Sequence, residues 1–356
     1  MTNTENFDYQ ELYAQRLADS RRTYSRLGVA VSVLFLVYFV MSYVFSYVAY
    51  YVFPSIYDQW WFTWVCSVVP LYGFGLPAFL LCLRRVDKGA HDPNFVSCGY
   101  IYEKPKFHLG HFCLFAVVGL GITYIGSYIG QGLMNWLSLL TGYDYQNSLS
   151  DAVENSPTWI VFLCTVIIAP IGEEFIFRKL FIDRARRYGD TAAILMSGLL
   201  FGLFHGNFFQ FFYAFMLGLI MAYMYTYTGK LYWSVGMHMF INLMGSIVMP
   251  GLASKINVDE LAAMEPTDME AYYEYIAEHA TEYALMMLLS GVIFCLMIAA
   301  VAIVICWFCM RKVRLGKGEA PLRKGDSAIA VFCNVGIPLC IFLLCLLMVI
   351  NLIPIR

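Results

Sequence analysis

Two adjacent carboxylates and a guanidinium four residues further on, Glu173, Glu174 and Arg178, lie in the stretch IGEEFIFRKL, directly after the uncharged run WIVFLCTVIIAP. An ionised carboxylate at bilayer depth costs roughly 2.5 kcal/mol or more, so a pair of them in apolar surroundings needs a chemical reason. Residues four apart share a helix face, which pairs Glu174 with Arg178. Glu173 points about 100° away, and its own fourth neighbour is Phe177. One acid is thereby neutralised structurally and the other left free, the situation that suits a general base. The bland alternative is interfacial: both acids near the headgroups, with Arg178 and Lys179 reaching out to them.

Two further polar sites follow. FGLFH ends on His205, and HMFIN places His238 and Asn242 four apart on one helix face. Singly, an intramembrane histidine is more often a satisfied packing residue than a catalyst. Two histidines, a free glutamate and an aligned amide on successive apolar segments supply a base, an imidazole to position water and donors for an oxyanion. That is a minimal set for hydrolysing a peptide bond without a covalent intermediate. His91, His108, His111 and His279 have no such company and read as interfacial or structural.

The elements that must position these groups are membrane helices. The chain of 356 residues is 60% hydrophobic and 13% charged, and its apolar runs exceed the ~18 residues that span a bilayer. A soluble fold is excluded. The fold class is all-α, a polytopic transmembrane bundle of eight or nine spans with an acidic outer loop. Nine apolar segments read out, at 27–53, 60–83, 109–140, 158–182, 191–206, 208–228, 231–249, 284–310 and 328–353. The third is long enough to tilt or project. The fifth to seventh are short and nearly contiguous, a tight hairpin series. The first twenty residues are polar, so no cleavable signal peptide is expected, and the first apolar segment should stay as an anchor.

Alternate connections are basic. Arg16, Arg21, Arg22 and Arg26 precede the first segment; Arg84, Arg85, Lys88, Lys104 and Lys106 follow the second; Arg184, Arg186 and Arg187 follow the fourth. Lys230 follows the sixth, and six bases from Arg311 to Lys324 follow the eighth. The intervening 142–157 has three acids and no base, and 251–283 has eight acids against Lys255. Positive residues mark the cytoplasmic side, so a multi-pass protein of the cell membrane with a cytoplasmic N-terminus is expected. The organisation is a cytoplasmic tail (1–26), N-terminal membrane helices (27–157), a polar-motif core (158–249), an acidic external loop (250–283) and C-terminal helices (284–356). The second half of the acidic loop has helix-compatible spacing. Eleven cysteines fall almost entirely in apolar runs and read as small hydrophobes, the CWFC pair Cys306 and Cys309 included.

In order, EEFIFR (Glu173 to Arg178), FGLFH (Phe201 to His205) and HMFIN (His238 to Asn242) resemble the three motifs of the CPBP family. These are the type II CAAX prenyl endopeptidases and bacteriocin-processing or immunity proteins, also called Abi proteins. The resemblance covers about 158–249. It implies an intramembrane endopeptidase in which Glu173, helped by His205, activates water. His238 and Asn242 would stabilise the oxyanion, while Glu174 and Arg178 hold the fourth helix in place. Substrates of this kind are hydrophobic or prenylated and otherwise lipidated peptides; the expected partners are these and membrane lipid, with no nucleic acid. Glu173, His205 and His238 could ligate a divalent metal such as zinc with water in the fourth position, yet HExxH is absent and a metal-free glutamate mechanism uses the same residues. A non-catalytic immunity factor or a transporter with the same polar pocket is the rival reading.

Depth sets a condition. His205 lies about 20 Å from the cytoplasmic start of its segment and His238 about 10 Å from its own. For them to meet, Asp190 is expected to cap a helix that begins outside the bilayer, and the cavity is expected in the cytoplasmic half to the middle of the membrane.

Overall fold

Backbone in hydrocarbon has no water to bond, and a helix satisfies itself within one segment. The structure, a computed structural model describing residues 3–86, 106–254 and 269–353, contains helices and no strand among those residues. Lys88, His91, Lys104, Lys255 and the first half of the acidic loop lie outside the described residues. Seven helices are long and apolar enough to cross a membrane. They belong to α1 (Asn3–Val52), α2 (Trp60–Leu83), α3 (Leu109–Thr141), α4 (Thr158–Tyr188), α6 (Phe208–Thr228), α7 (Leu231–Ala253) and α8 (Ala280–Cys309). Between α4 and α6 runs the shorter α5 (Asp190–Phe204), and the chain closes with α9 (Asp326–Phe332) and α10 (Gly336–Ile350), bent by 60° where they meet. The sequence reading of one continuous last span is corrected by that break. Taken as one bent crossing, the pair makes eight spans.

The fifth segment differs from its expectation as a full span. At 15 residues α5 is about 22 Å long, against about 30 Å of hydrocarbon. It can be short because it is enclosed: Ala193, Ser197 and Leu200 have no exposed surface. Close approach to α6 comes from small residues, as membrane interfaces require. A Cβ on Gly202 would stand 2.8 Å from Phe215 Cβ, and one on Gly198 would stand 2.6 Å from Leu219.

All the described basic connections gather at one end. α1, about 75 Å long at its 50 residues, outruns any bilayer, and its polar first half packs on the chain before α10. There Arg16 donates to Pro321 O (3.3 Å), Arg21 to Cys333 O (2.7 Å), and Gly336 N–H to Ser25 Oγ (3.1 Å). Arg26 donates to Arg85 O (2.7 Å), and Ala320 N–H to Arg187 O (3.0 Å). The opposite end carries the aromatic ring expected at a headgroup level, with Tyr50 against Tyr57 and Trp60 against Trp159. Three short helices lie at that end, Pro54–Tyr57, Ser148–Glu154 and Met269–Glu278.

Substituting Gly202→Val forces α5 and α6 apart, an overpacking cost of about 1–3 kcal/mol. The detergent-solubilised protein should melt at a measurably lower temperature.

Candidate active site

The site grows from an irregular helix. In α4 the ladder widens over Phe162–Ile168 and again over Phe175–Ile182, leaving Ala169–Glu174 as a short α-helical piece between. The cause of one consequence is a proline. Ala169 N–H reaches back five residues to Cys164 O, so the next bond in that register would run from residue 170 to Thr165 O. Residue 170 is Pro, which has no N–H. The stranded Thr165 carbonyl is taken by α7: Asn242 Nδ2 donates to it at 2.7 Å. Such widened turns favour functional sites because they free backbone groups. Here the freed carbonyl registers α7 against α4.

One turn on, the carboxylates separate as their spacing predicts. Arg178 binds Glu174 with both ends of its fork, Nε to Oε2 at 3.0 Å and Nη2 to Oε1 at 3.2 Å, and both side chains are fully buried. The remaining nitrogen, Nη1, donates to Ser197 Oγ at 2.6 Å, and that hydroxyl donates to Phe177 O. Arg178 also lies over the Phe201 ring, 4.9 Å from its centre. Glu173 faces the cavity, its side chain 12% exposed.

His238 comes between the two acids. Its Nε2 is 3.9 Å from Glu173 Oε2, and its Nδ1 is 3.4 Å from Glu174 Oε1, off the hydrogen-bond direction. Glu174 therefore flanks the imidazole as well as anchoring Arg178. His205 closes α5, and its Nδ1 lies 2.9 Å from Phe201 O. A carbonyl only accepts, so Nδ1 carries the proton and a neutral ring keeps Nε2 as acceptor. That back-bond reduces the depth difference between the two histidines by about 5 Å. It folds the imidazole one turn toward the basic end, where the Phe201 ring faces both His205 (5.1 Å) and His238 (5.6 Å). His205 is within electrostatic reach of Glu173 and His238.

Asp190 does not cap α5 with its side chain. It is the first helical residue, and its carboxylate accepts from Gly316 N–H (2.8 Å) and pairs with Arg186 (3.3 Å), tying the helix start to the loop before α9. The other end is pinned by amides. Gly206 turns at φ +68°, Asn207 donates to His205 O, and Asn351 donates to Gly206 O at 2.8 Å. Sequence reasoning misses Asn351, and it misses Tyr38, Tyr72 and Tyr213, which the Glu173 charge reaches. Gly172 makes room for Tyr72, whose ring a Cβ there would strike. With 26 tyrosines in the chain, no spacing marks these three.

A cavity of about 630 Å³ is lined by Glu173, His205, His238 and Asn242 together. Its direction corrects the sequence expectation. Asn147, Ser150 and Glu154 also line it, so it extends toward the end opposite the basic connections. The helices, not the hydropathy pattern, set that direction. Among the described residues no three His, Cys, Asp or Glu side chains are arranged to hold a metal ion. His205 Nδ1 is held by a carbonyl and His238 Nδ1 lies beside Glu174, which leaves Nε2 on each ring, the disposition of a metal-ligating imidazole as well as of a metal-free one. The described cysteines form no disulfide, and Cys306 and Cys309 are exposed on the outside of α8.

Residues 155–244, about a quarter of the chain, match the sequence model of a family described as type II CAAX prenyl endopeptidase Rce1-like. Neither the curated proteins nor the solved structures contain a match to this chain.

Removing one partner of the buried pair, as Glu174→Gln or Arg178→Met, should cost about 3–5 kcal/mol because it leaves the other group uncompensated. Glu174→Leu with Arg178→Met together should cost less than the sum in a detergent unfolding cycle. Asn242→Leu strands the Thr165 carbonyl, a loss of about 1–3 kcal/mol. Adding Pro170→Ala, which restores an N–H at residue 170, should return part of that stability in the same assay.

Proposed function

We propose that this chain is a working intramembrane endopeptidase with Glu173 as the base, a reading supported by the similarity of residues 155–244 to the type II CAAX prenyl endopeptidase Rce1-like family. The observation that carries the reading is one juxtaposition. A carboxylate from α4 and an imidazole from α7 stand 3.9 Å apart in a cavity whose wall also holds His205. Glu173 is free for proton transfer because Arg178 is saturated by Glu174 and Ser197.

In this reading a water lies between Glu173 and His205 Nε2. Glu173 takes its proton as the oxygen attacks the scissile carbonyl, and His205 fixes the water's direction through its free acceptor. The carbonyl π electrons move to oxygen, and His238 with Asn242 donates to that oxyanion. Asn242 has two amide hydrogens, and Thr165 takes one. Collapse of the intermediate breaks the C–N bond, with the proton returning from Glu173 to the leaving amine. The chain's own residues supply every step written here. The substrate is a peptide with apolar or lipidated character, matched to walls that carry Phe35, Phe39, Leu120 and Leu217.

Glu173→Gln keeps size and hydrogen bonding but removes the base. Purified full-length protein incubated with a membrane-peptide pool should yield cut peptides detectable by mass spectrometry. The Gln form should lose about 10²–10⁴-fold in rate while eluting as a folded species. Equal cutting by the two forms would reject the assignment.

A further inference from the structure

Resting on that reading, the cavity's one-sidedness identifies where the substrate comes from. On every long helix that lines it, the lining residues stop at one level and continue only away from the basic end. α1 contributes from Phe35 onward, α3 from Leu120 onward and α7 from His238 onward, all on the side remote from their basic beginnings. α2 contributes Trp64 through Tyr72 and α4 Cys164 through Glu173, and nothing nearer their basic ends. α6 runs toward Lys230, and its lining ends at Leu217. The last helix agrees, contributing Leu347 and Asn351 but not Gly336, the residue held to Ser25 at the basic end.

Below that level the bundle is dry. Phe177, Phe181, Ile182, Leu200 and Met224 have no exposed surface. Across the same layer lies the Arg178–Glu174 pair, with all three guanidinium nitrogens engaged. A peptide arriving from the basic end would have to open this ion pair and its aromatic packing. Above the level there is continuous space up to Asn147, Ser150 and Glu154, in the connection between α3 and α4 that carries three acids and no base.

We propose that substrate reaches Glu173 only from the face opposite the basic connections. Since those connections mark the cytoplasm, the peptides cut are those presented on the extracytoplasmic side. Their apolar segment inserts between α2, α3 and α7, and their polar continuation leaves past Ser150 and Glu154. Tails offered from the cytoplasm are not substrates of this cavity.

Sidedness can be read without catalysis. Thr123→Cys and Ser127→Cys place thiols on the α3 wall, and native Cys164 is a third reporter on α4. Asp151→Cys marks the acidic end and Lys317→Cys the basic end, both exposed. A small anionic, membrane-impermeant methanethiosulfonate is applied to full-length protein in intact cells and in inverted vesicles, with each modified residue identified by mass spectrometry. The native cysteines thus stay in place. Wall cysteines labelled on the same side as Asp151→Cys, with labelling lost on the Lys317→Cys side, support the proposal. Labelling of the wall from the Lys317→Cys side, or from neither side, overturns it. Should one wall variant fail to fold, the other and Cys164 still report. Labelling from the Asp151→Cys side with no Glu173-dependent hydrolysis would sink the endopeptidase reading and leave the access route standing; hydrolysis with the opposite labelling would do the reverse.

Discussion

A single ion pair buried in the bundle organises this molecule. Arg178 is the largest fully buried side chain among the described residues, and a lone guanidinium in that setting would be prohibitive. It is tolerated because Glu174 takes two of its nitrogens, Ser197 the third and the Phe201 ring its face. Each of those partners fixes something else. Glu174 flanks His238, Ser197 joins α5 to the Phe177 carbonyl of α4, and Phe201 stands against both histidines. Neutralising the charge and building the site are therefore one arrangement.

The second constraint is a backbone one. Proline in a widened helix removes a donor that hydrocarbon cannot replace, and the neighbouring helix must supply it. Asn242 does so, which ties the fourth residue of the site to the fold of the first helix that bears it. An amide that looks purely chemical in the sequence is also a splice between helices. The same economy appears at the His205 turn, where Asn207 and Asn351 satisfy carbonyls that a helix end leaves open.

These constraints leave the cavity asymmetric. Packing around the ion pair closes the basic end, where all three nitrogens of Arg178 are bonded and the surrounding aromatic and aliphatic side chains are buried. Above Glu173, aromatic and small residues of α1, α2 and α3 leave space. The carboxylate thus sits at the floor of a one-ended chamber, with its dry side toward the charges that orient the protein in the membrane.

How much of this the sequence alone determined follows from the range of the forces involved. Hydropathy and helix periodicity are local, so the apolar helices, the pairing of Glu174 with Arg178 and the freedom of Glu173 were legible from spacing. The alternation of basic and acidic connections was legible too, and the described basic stretches do meet at one end. Tertiary structure decided what depends on contacts between distant segments: that α5 is a short enclosed helix, that the last segment breaks, and that Asp190 binds Gly316 instead of capping its helix. It also decided that Tyr38, Tyr72 and Tyr213 line the cavity together with Glu173, and that the chamber points away from the basic end. Which side of a helix bundle remains hollow is settled by how side chains from many helices fill the space between them, and no single stretch of chain encodes that.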